Sequence, residues 1–152
     1  MTKKEIFFVS LFNSILFGVL FTFATPIFNG QGIHWSTIPL ELVAGILVGL
    51  VISLAIPSPM LGEMLAGKLA KSGSLLFRFI MKSVILVIML IFMCPIMAVL
   101  FACVLGDAPV AVILPASYSV FLPLYLVGIV VLMLVGDLVT GAAIKCANLG
   151  KN

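Results

Sequence analysis

Charge is what this chain has least of. Lys and Arg number 8 and Asp and Glu 5 in 152 residues, 9% of the whole against 64% hydrophobic residues, whereas soluble domains are about a quarter charged. A soluble fold of this length has no way to hide so much apolar surface. In a bilayer it need not, because lipid replaces water as the solvent of the side chains. The net charge of +3 is accordingly no nucleic-acid signal, and no basic–aromatic groove accompanies it. With one histidine and five acids, and no nucleophile–base pair, metal-ligand spacing or phosphate loop, the chain points away from an enzyme and from any cofactor. Cysteine is scarce too. Cys94 and Cys103 fall on opposite helix faces and Cys146 has no obvious mate, so all three are expected as buried free thiols.

What is present is long apolar runs. Ile6 to Phe28 carries no charge and, at about 22 residues, spans about 33 Å, which matches a bilayer core of about 30 Å. It is too long for the apolar part of a secretory signal, and bulky Ile27 and Phe28 follow Ala24-Thr25-Pro26 where a cleavage site would need small residues. Asn29-Gly-Gln-Gly32 breaks it. A loop with His34 and Trp35 follows, with Trp35 expected as an interfacial anchor and His34 as a solvated imidazole. The second span is expected over about 40–61, with Glu41 at its head and Pro57 and Pro59 stopping or kinking it; Met60 to Lys71 then reads as a short interfacial helix. The third is expected over about 79–106, with Lys82 in its first turn snorkelling outward. The fourth is expected over about 120–139, after a membrane-hugging segment at Val110–Leu114.

Four spans put every basic residue on one side: Lys3, Lys4, Lys68, Lys71, Arg78, Lys82, Lys145 and Lys151, with Glu41 and Asp107 on the other. That asymmetry predicts cytoplasmic N- and C-termini and a multi-pass protein of a cell inner (plasma) membrane.

The chain also reads as duplicated. Gly62-Glu-Met-Leu-Ala-Gly67 is echoed by Gly136-Asp-Leu-Val-Thr-Gly141, and Ala24-Thr-Pro-Ile-Phe28 by Met93-Cys-Pro-Ile-Met97. The expected fold is therefore an all-α membrane protein of four transmembrane helices, arranged as two tandem helical hairpins, residues 1–73 and 74–152, in a parallel repeat. Cys94-Pro-Ile-Met97 within an apolar helix, together with a two-helix unit ending in proline, an apolar pair and basic residues, resembles a bacterial membrane domain of unknown function catalogued as number twenty-seven ninety-eight. That domain often occurs as two tandem units. The second half departs from its pattern, with Gly136-Asp137 where the pattern has a proline. The resemblance implies the architecture and carries no functional residue.

Helices in lipid associate through small residues and a few hydrogen bonds. The first span offers Ser10, Ser14, Gly18 and Thr22, the second Gly45, Gly49 and Ser53, the third a weaker stripe of Cys94, Ala98, Ala102 and Gly106, and the fourth Gly128, Gly136 and Thr140. Counting from the cytoplasmic ends sets Gly18 beside Gly49, Ser14 against Ser53 and Thr22 against Gly45.

Candidate solute-binding residues are Asn13, the one strongly polar side chain well inside the first span, with Ser14, Ser53 and Glu41. Glu63 and Asp137 are expected to pair with nearby lysines or headgroups. Met89, Met93 and Met97 beside Cys94 form a stripe of soft sulfur suited to copper(I). The leading expectation is an oligomeric transporter or channel for a lipophilic or weakly polar small solute, its partners being the bilayer, that solute and further copies of the chain. The alternatives are a non-catalytic accessory or scaffold subunit, and copper(I) handling. The topology makes a first prediction: a cysteine tag at position 72 should react with impermeant reagents only from the cytoplasmic side, and labelling from outside would overturn the four-span arrangement.

Overall fold

The computed structural model describes residues 3–30, 32–56, 58–104 and 109–149, and every regular element among them is a helix. Pro57, Gly106, Asp107 and Lys151, and the side chain of Cys103, lie outside the described residues. In order, α1 is Lys3–Phe28, α2 Ile38–Ala55, α3 Ser58–Leu69 and α4 Leu75–Ala98, which runs on as a π-helical stretch, Val99–Val104; α5 is Val110–Ala116 and α6 Phe121–Asn148. Four of them, α1, α2, α4 through Ala102, and α6, are long and apolar enough to cross a membrane. They support a multi-pass membrane protein.

The ends have local causes. Gly30 closes α1 with φ 67, a left-handed conformation that glycine adopts without strain. Pro39 sits in the first turn of α2, where a missing N–H costs nothing. The Ser74 hydroxyl accepts from the Phe77 amide at 3.1 Å and starts α4 one turn earlier than Phe79. The second span ends at Ala55, not Leu61, and α3 begins afresh at Ser58. The fourth does not stop at Val139. It continues to Asn148, because small buried Ala143 and Ala147 let it stay against α1, where Asn148 reaches Glu5.

α1 lies against α2 and α6, and α4 lies against α2, α3 and α6. Contacts such as Gly18 with Gly45, Gly49 with Met89, Leu86 with Gly128 and Leu20 with Gly128 show each neighbouring pair of long helices to be antiparallel. The four spans thus form a ring in the order α1, α2, α4, α6. α3 extends the line of α2 along α4: the Met81 carbonyl lies 2.7 Å from where a Cβ on Gly62 would stand. The core is Phe17, Phe21, Ile52, Leu86, Met89, Leu90, Met93 and Leu124, with few polar atoms among them.

The outside is apolar as well. On α6, Leu122, Leu126, Val130, Leu134 and Leu138 form an exposed ridge four residues apart, with Leu134 72% exposed. In water such a surface would aggregate; in hydrocarbon it is the expected coat.

The α1–α2 register differs from the one counted from the sequence by one helical turn. Gly18 faces Gly45 and Ile46, and Ser14 faces Gly49; a Cβ on Gly45 would stand 3.2 Å from the Gly18 Cα, and one on Gly49 3.3 Å from the Ser14 Cβ. The cause is the early end of α2. A helix over 38–55 has its middle nearer Ile46 than one drawn over 40–61, so the partner of Gly18 moves from Gly49 to Gly45.

Two glycines of α3 separate close approach from propensity. Gly62→Ala should cost about 1–3 kcal/mol, because its Cβ would collide with backbone. Gly67→Ala meets nothing within 4 Å and should hold or gain up to about 1 kcal/mol from helix propensity. Thermal unfolding in detergent compares the two; equal melting temperatures would show that the Gly62–Met81 approach is no constraint.

Candidate functional site

The four expected solute residues do not share a site. Ser14 is buried and its hydroxyl donates to the Ser10 carbonyl of its own helix at 2.7 Å. The Ser53 hydroxyl points to the Met89 sulfur at 3.8 Å. Both serve packing. Asn13 and Glu41 line two different cavities at opposite ends of the bundle.

The larger cavity, about 450 Å³, lies at the Glu41 end between α1, the head of α2, the end of α4 and the segment around α5. Its walls mix Phe21, Phe101, Met97 and Cys94 with Thr22, Thr25, Asn29, Ser117, Ser119 and Glu41. Prolines shape it. Pro26 within α1 has no N–H, so the Thr22 carbonyl four residues back loses its helical donor. Pro95 does the same to the Ile91 carbonyl, and there the Tyr118 hydroxyl donates at 3.2 Å, tying the α5–α6 turn to α4. The π-helical stretch that follows, a geometry frequent at functional sites, presents Phe101 and Ala102 to the same space.

The polar groups of this wall are unequally engaged. Ser117 and Ser119 donate to the Leu114 and Ala116 carbonyls at 2.6 and 2.7 Å. The Glu41 Oε1 accepts from the Thr37 hydroxyl at 2.7 Å, and the carboxylate sits in the first turn of α2, at the positive end of its dipole. Thr22 and Thr25 differ. Their Oγ1 atoms are buried and have no hydrogen-bond partner among the described residues. A buried hydroxyl without a partner carries a desolvation cost of about 1–3 kcal/mol, and both line the cavity. The spacing in the sequence assigns Thr22, with Thr25 one turn beyond it, to helix packing and gives neither a ligand role. The available signal was Thr25 beside Pro26, where the helix is broken and a hydroxyl is free to face away from its own backbone.

The smaller cavity, about 190 Å³, is lined by Asn13, Met81, Lys82, Ile85, Leu132, Gly136, Asp137 and Thr140. Lys82 does not snorkel outward. It is 5% exposed, and its Nζ donates to the Leu132 carbonyl and to Asp137 Oδ1, each at 2.8 Å. Arg78 pairs with Oδ2 of the same carboxylate. Asp137 thus has its cationic partners across the helix interface on α4. Gly136 leaves the room, since a Cβ there would stand 3.4 Å from Nζ.

Of the methionine stripe, Met89 and Met93 are sealed in the core and Met97 alone reaches the larger cavity. Cys94 is buried and Cys146 half-buried, both free. Trp35 and His34 stand exposed in the turn before α2.

The four long apolar helices support a multi-pass membrane protein, and the bundle has a half-polar chamber at one end and a charged cleft at the other. Compared with protein-family models, curated proteins and solved structures, the chain finds no match in any of the three.

The orphaned hydroxyls generate a test that separates binding from folding. Thr22→Val keeps the shape and removes a penalty, so it should melt at or above the parent by up to about 1 kcal/mol. Thr140→Val removes a hydroxyl that donates to the Gly136 carbonyl at 2.9 Å and serves as the paired control, melting at or below the parent. A clear loss of stability in Thr22→Val alone would mean that its hydroxyl holds the fold.

Proposed function

We propose that this protein binds a small, weakly polar or cationic solute in the Glu41-end cavity and carries it across a membrane in company with further copies of itself. The observation behind this reading is the pair of unpartnered buried hydroxyls, Thr22 and Thr25, in a wall whose charged side chain is Glu41. Such a wall offers hydrogen bonds, aromatic and sulfur surface, and negative charge. It favours a neutral or positive occupant over an anion.

Orientation follows from charge. The basic residues of α1, α3, α4 and α6 gather at the other end of the bundle, so the positive-inside rule supports cytoplasmic termini and an outward-facing cavity. The ring order, and the correspondence of Asn13-Ser14 and Pro26 in α1 with Lys82-Ser83 and Pro95 in α4, support two tandem hairpins related by an axis along the bundle. Phe17, Leu86, Met89, Leu90 and Leu124, all at most 1% exposed, fill the space between the two cavities. One copy at rest therefore has no open path, which favours passage between copies or a rocking of one helix pair on the other. The same sealed core favours the second reading, an accessory subunit whose cavity receives a ligand without moving it.

Tetraphenylphosphonium and tetraphenylborate share a shape and differ in the sign of their charge. In nanodiscs the parent should bind the cation in preference to the anion, and Glu41→Gln should weaken the cation about tenfold, the worth of one partly screened attraction between opposite charges. Equal binding of the two probes, or indifference to Glu41→Gln, discards the reading. Uptake of the cation by proteoliposomes then distinguishes a carrier from an accessory subunit.

A further inference from the structure

The charged cleft at the other end holds more positive than negative charge. We propose that Arg78, Lys82 and Asn13 form a binding site for an anionic phosphate group, seated in the cleft between α1, α4 and α6. This inference is independent of the solute reading, since the two cavities are separated by the packed core.

The count of charges and donors carries it. Arg78 and Lys82 stand one turn apart on α4 and share the single carboxylate of Asp137, which leaves one net positive charge. A buried ion pair needing only to tie α4 to α6 would need only one of them. Lys82 is fixed by Asp137 and Leu132, and the third hydrogen of its ammonium has no partner among the described residues. Arg78 is half exposed and bonded to the Asp137 carboxylate that lines the cavity, and its guanidinium has N–H donors to spare beyond that bond. Across the cleft, Asn13 makes no side-chain hydrogen bond to a described residue although it lines the same cavity. The Asn13 amide and the Lys82 ammonium line about 190 Å³, and Arg78, bonded to the same Asp137 that lines it, adds a second cation for the non-bridging oxygens of a phosphate. The remaining wall suits the rest of a lipid: Met81, Ile85 and Leu132 are apolar. A phosphate diester of a membrane lipid and a soluble phosphate compound would satisfy the same donors.

Asp137 separates this proposal from a purely structural ion pair. In nanodiscs of phosphatidylcholine doped with phosphatidylglycerol, native mass spectrometry should show the parent retaining the anionic lipid in preference to the zwitterionic one. Arg78→Gln should lower that preference about tenfold, Arg78→Lys should restore part of it, and Asn13→Leu should weaken it less. Asp137→Asn removes the competing carboxylate, so anionic lipid should be retained as well as in the parent or better. Equal loss in Arg78→Gln and Asp137→Asn, with a matching fall in melting temperature, would mean that the three residues only join helices and would overturn the site. So would a preference unchanged in Arg78→Gln. If millimolar inorganic phosphate displaces phosphatidylglycerol and protects the parent in pure phosphatidylcholine, the site stands and its source is a soluble phosphate compound. If it does neither, the source is the lipid headgroup.

Discussion

A carbonyl in hydrocarbon must find its donor inside the protein, because lipid supplies none. The long helices satisfy that demand turn by turn, and two prolines interrupt it. Pro95 frees the Ile91 carbonyl, and the chain answers with Tyr118, whose hydroxyl reaches it from the turn between α5 and α6. Pro26 frees the Thr22 carbonyl, and no side chain takes the place of the missing amide among the described residues. Pro26 lines the chamber, and so do Cys94, Met97 and Ala98 on either side of Pro95, so the helices lose regularity beside the space the protein leaves. The π-helical stretch after Pro95 continues the same departure.

The two ends of the bundle consequently differ in kind. At the Glu41 end, charge is sparse, the helices part and α5 folds back beside them. At the Arg78 end, small residues bring helices close. Gly62 lies on the Met81 carbonyl, and Gly136 makes room for the Lys82 ammonium. Lys82 lies in a helix whose neighbours are mostly hydrocarbon, and a buried charge persists there only with a counter-charge and hydrogen bonds. Asp137 and the Leu132 carbonyl provide both. That cross-link also fixes the rotation of α4 against α6, which in turn sets which face of α4 carries Cys94 and Met97 toward the chamber.

Much of this was legible in the amino acids, for reasons that differ by feature. Four apolar runs are visible because hydropathy and bilayer thickness act residue by residue, without reference to a partner. The break near Pro57 and the new helix after it were readable from proline chemistry. The register of α1 on α2 was not, because it depends on where α2 ends; drawn to Leu61 the helix centres one turn too late, and Gly18 is assigned to Gly49 when it meets Gly45. The burial of Lys82 was hidden for a different reason. A lysine one turn into a span is free to snorkel unless an acid lies opposite, and Asp137 is distant in sequence. The clue was that Asp137 also lies within an apolar run, so the two misplaced charges implied each other.

The stripe of small residues along α1 shows how equal spacing conceals unequal roles. Ser10, Ser14, Gly18 and Thr22 recur every fourth residue and are all buried. Ser14 turns its hydroxyl onto the carbonyl one turn back, so its polarity is absorbed by its own helix and only its size matters to α2. Thr22 has the same opportunity, with Gly18 one turn back, yet its hydroxyl is without a partner. A residue selected only for packing at that position would lose nothing as valine, and would escape the desolvation cost. The hydroxyl is therefore better understood by what lies beside it. With Thr25 it lines a space bounded by Glu41 and the end of α4, which is where the proposed solute would supply the missing partner.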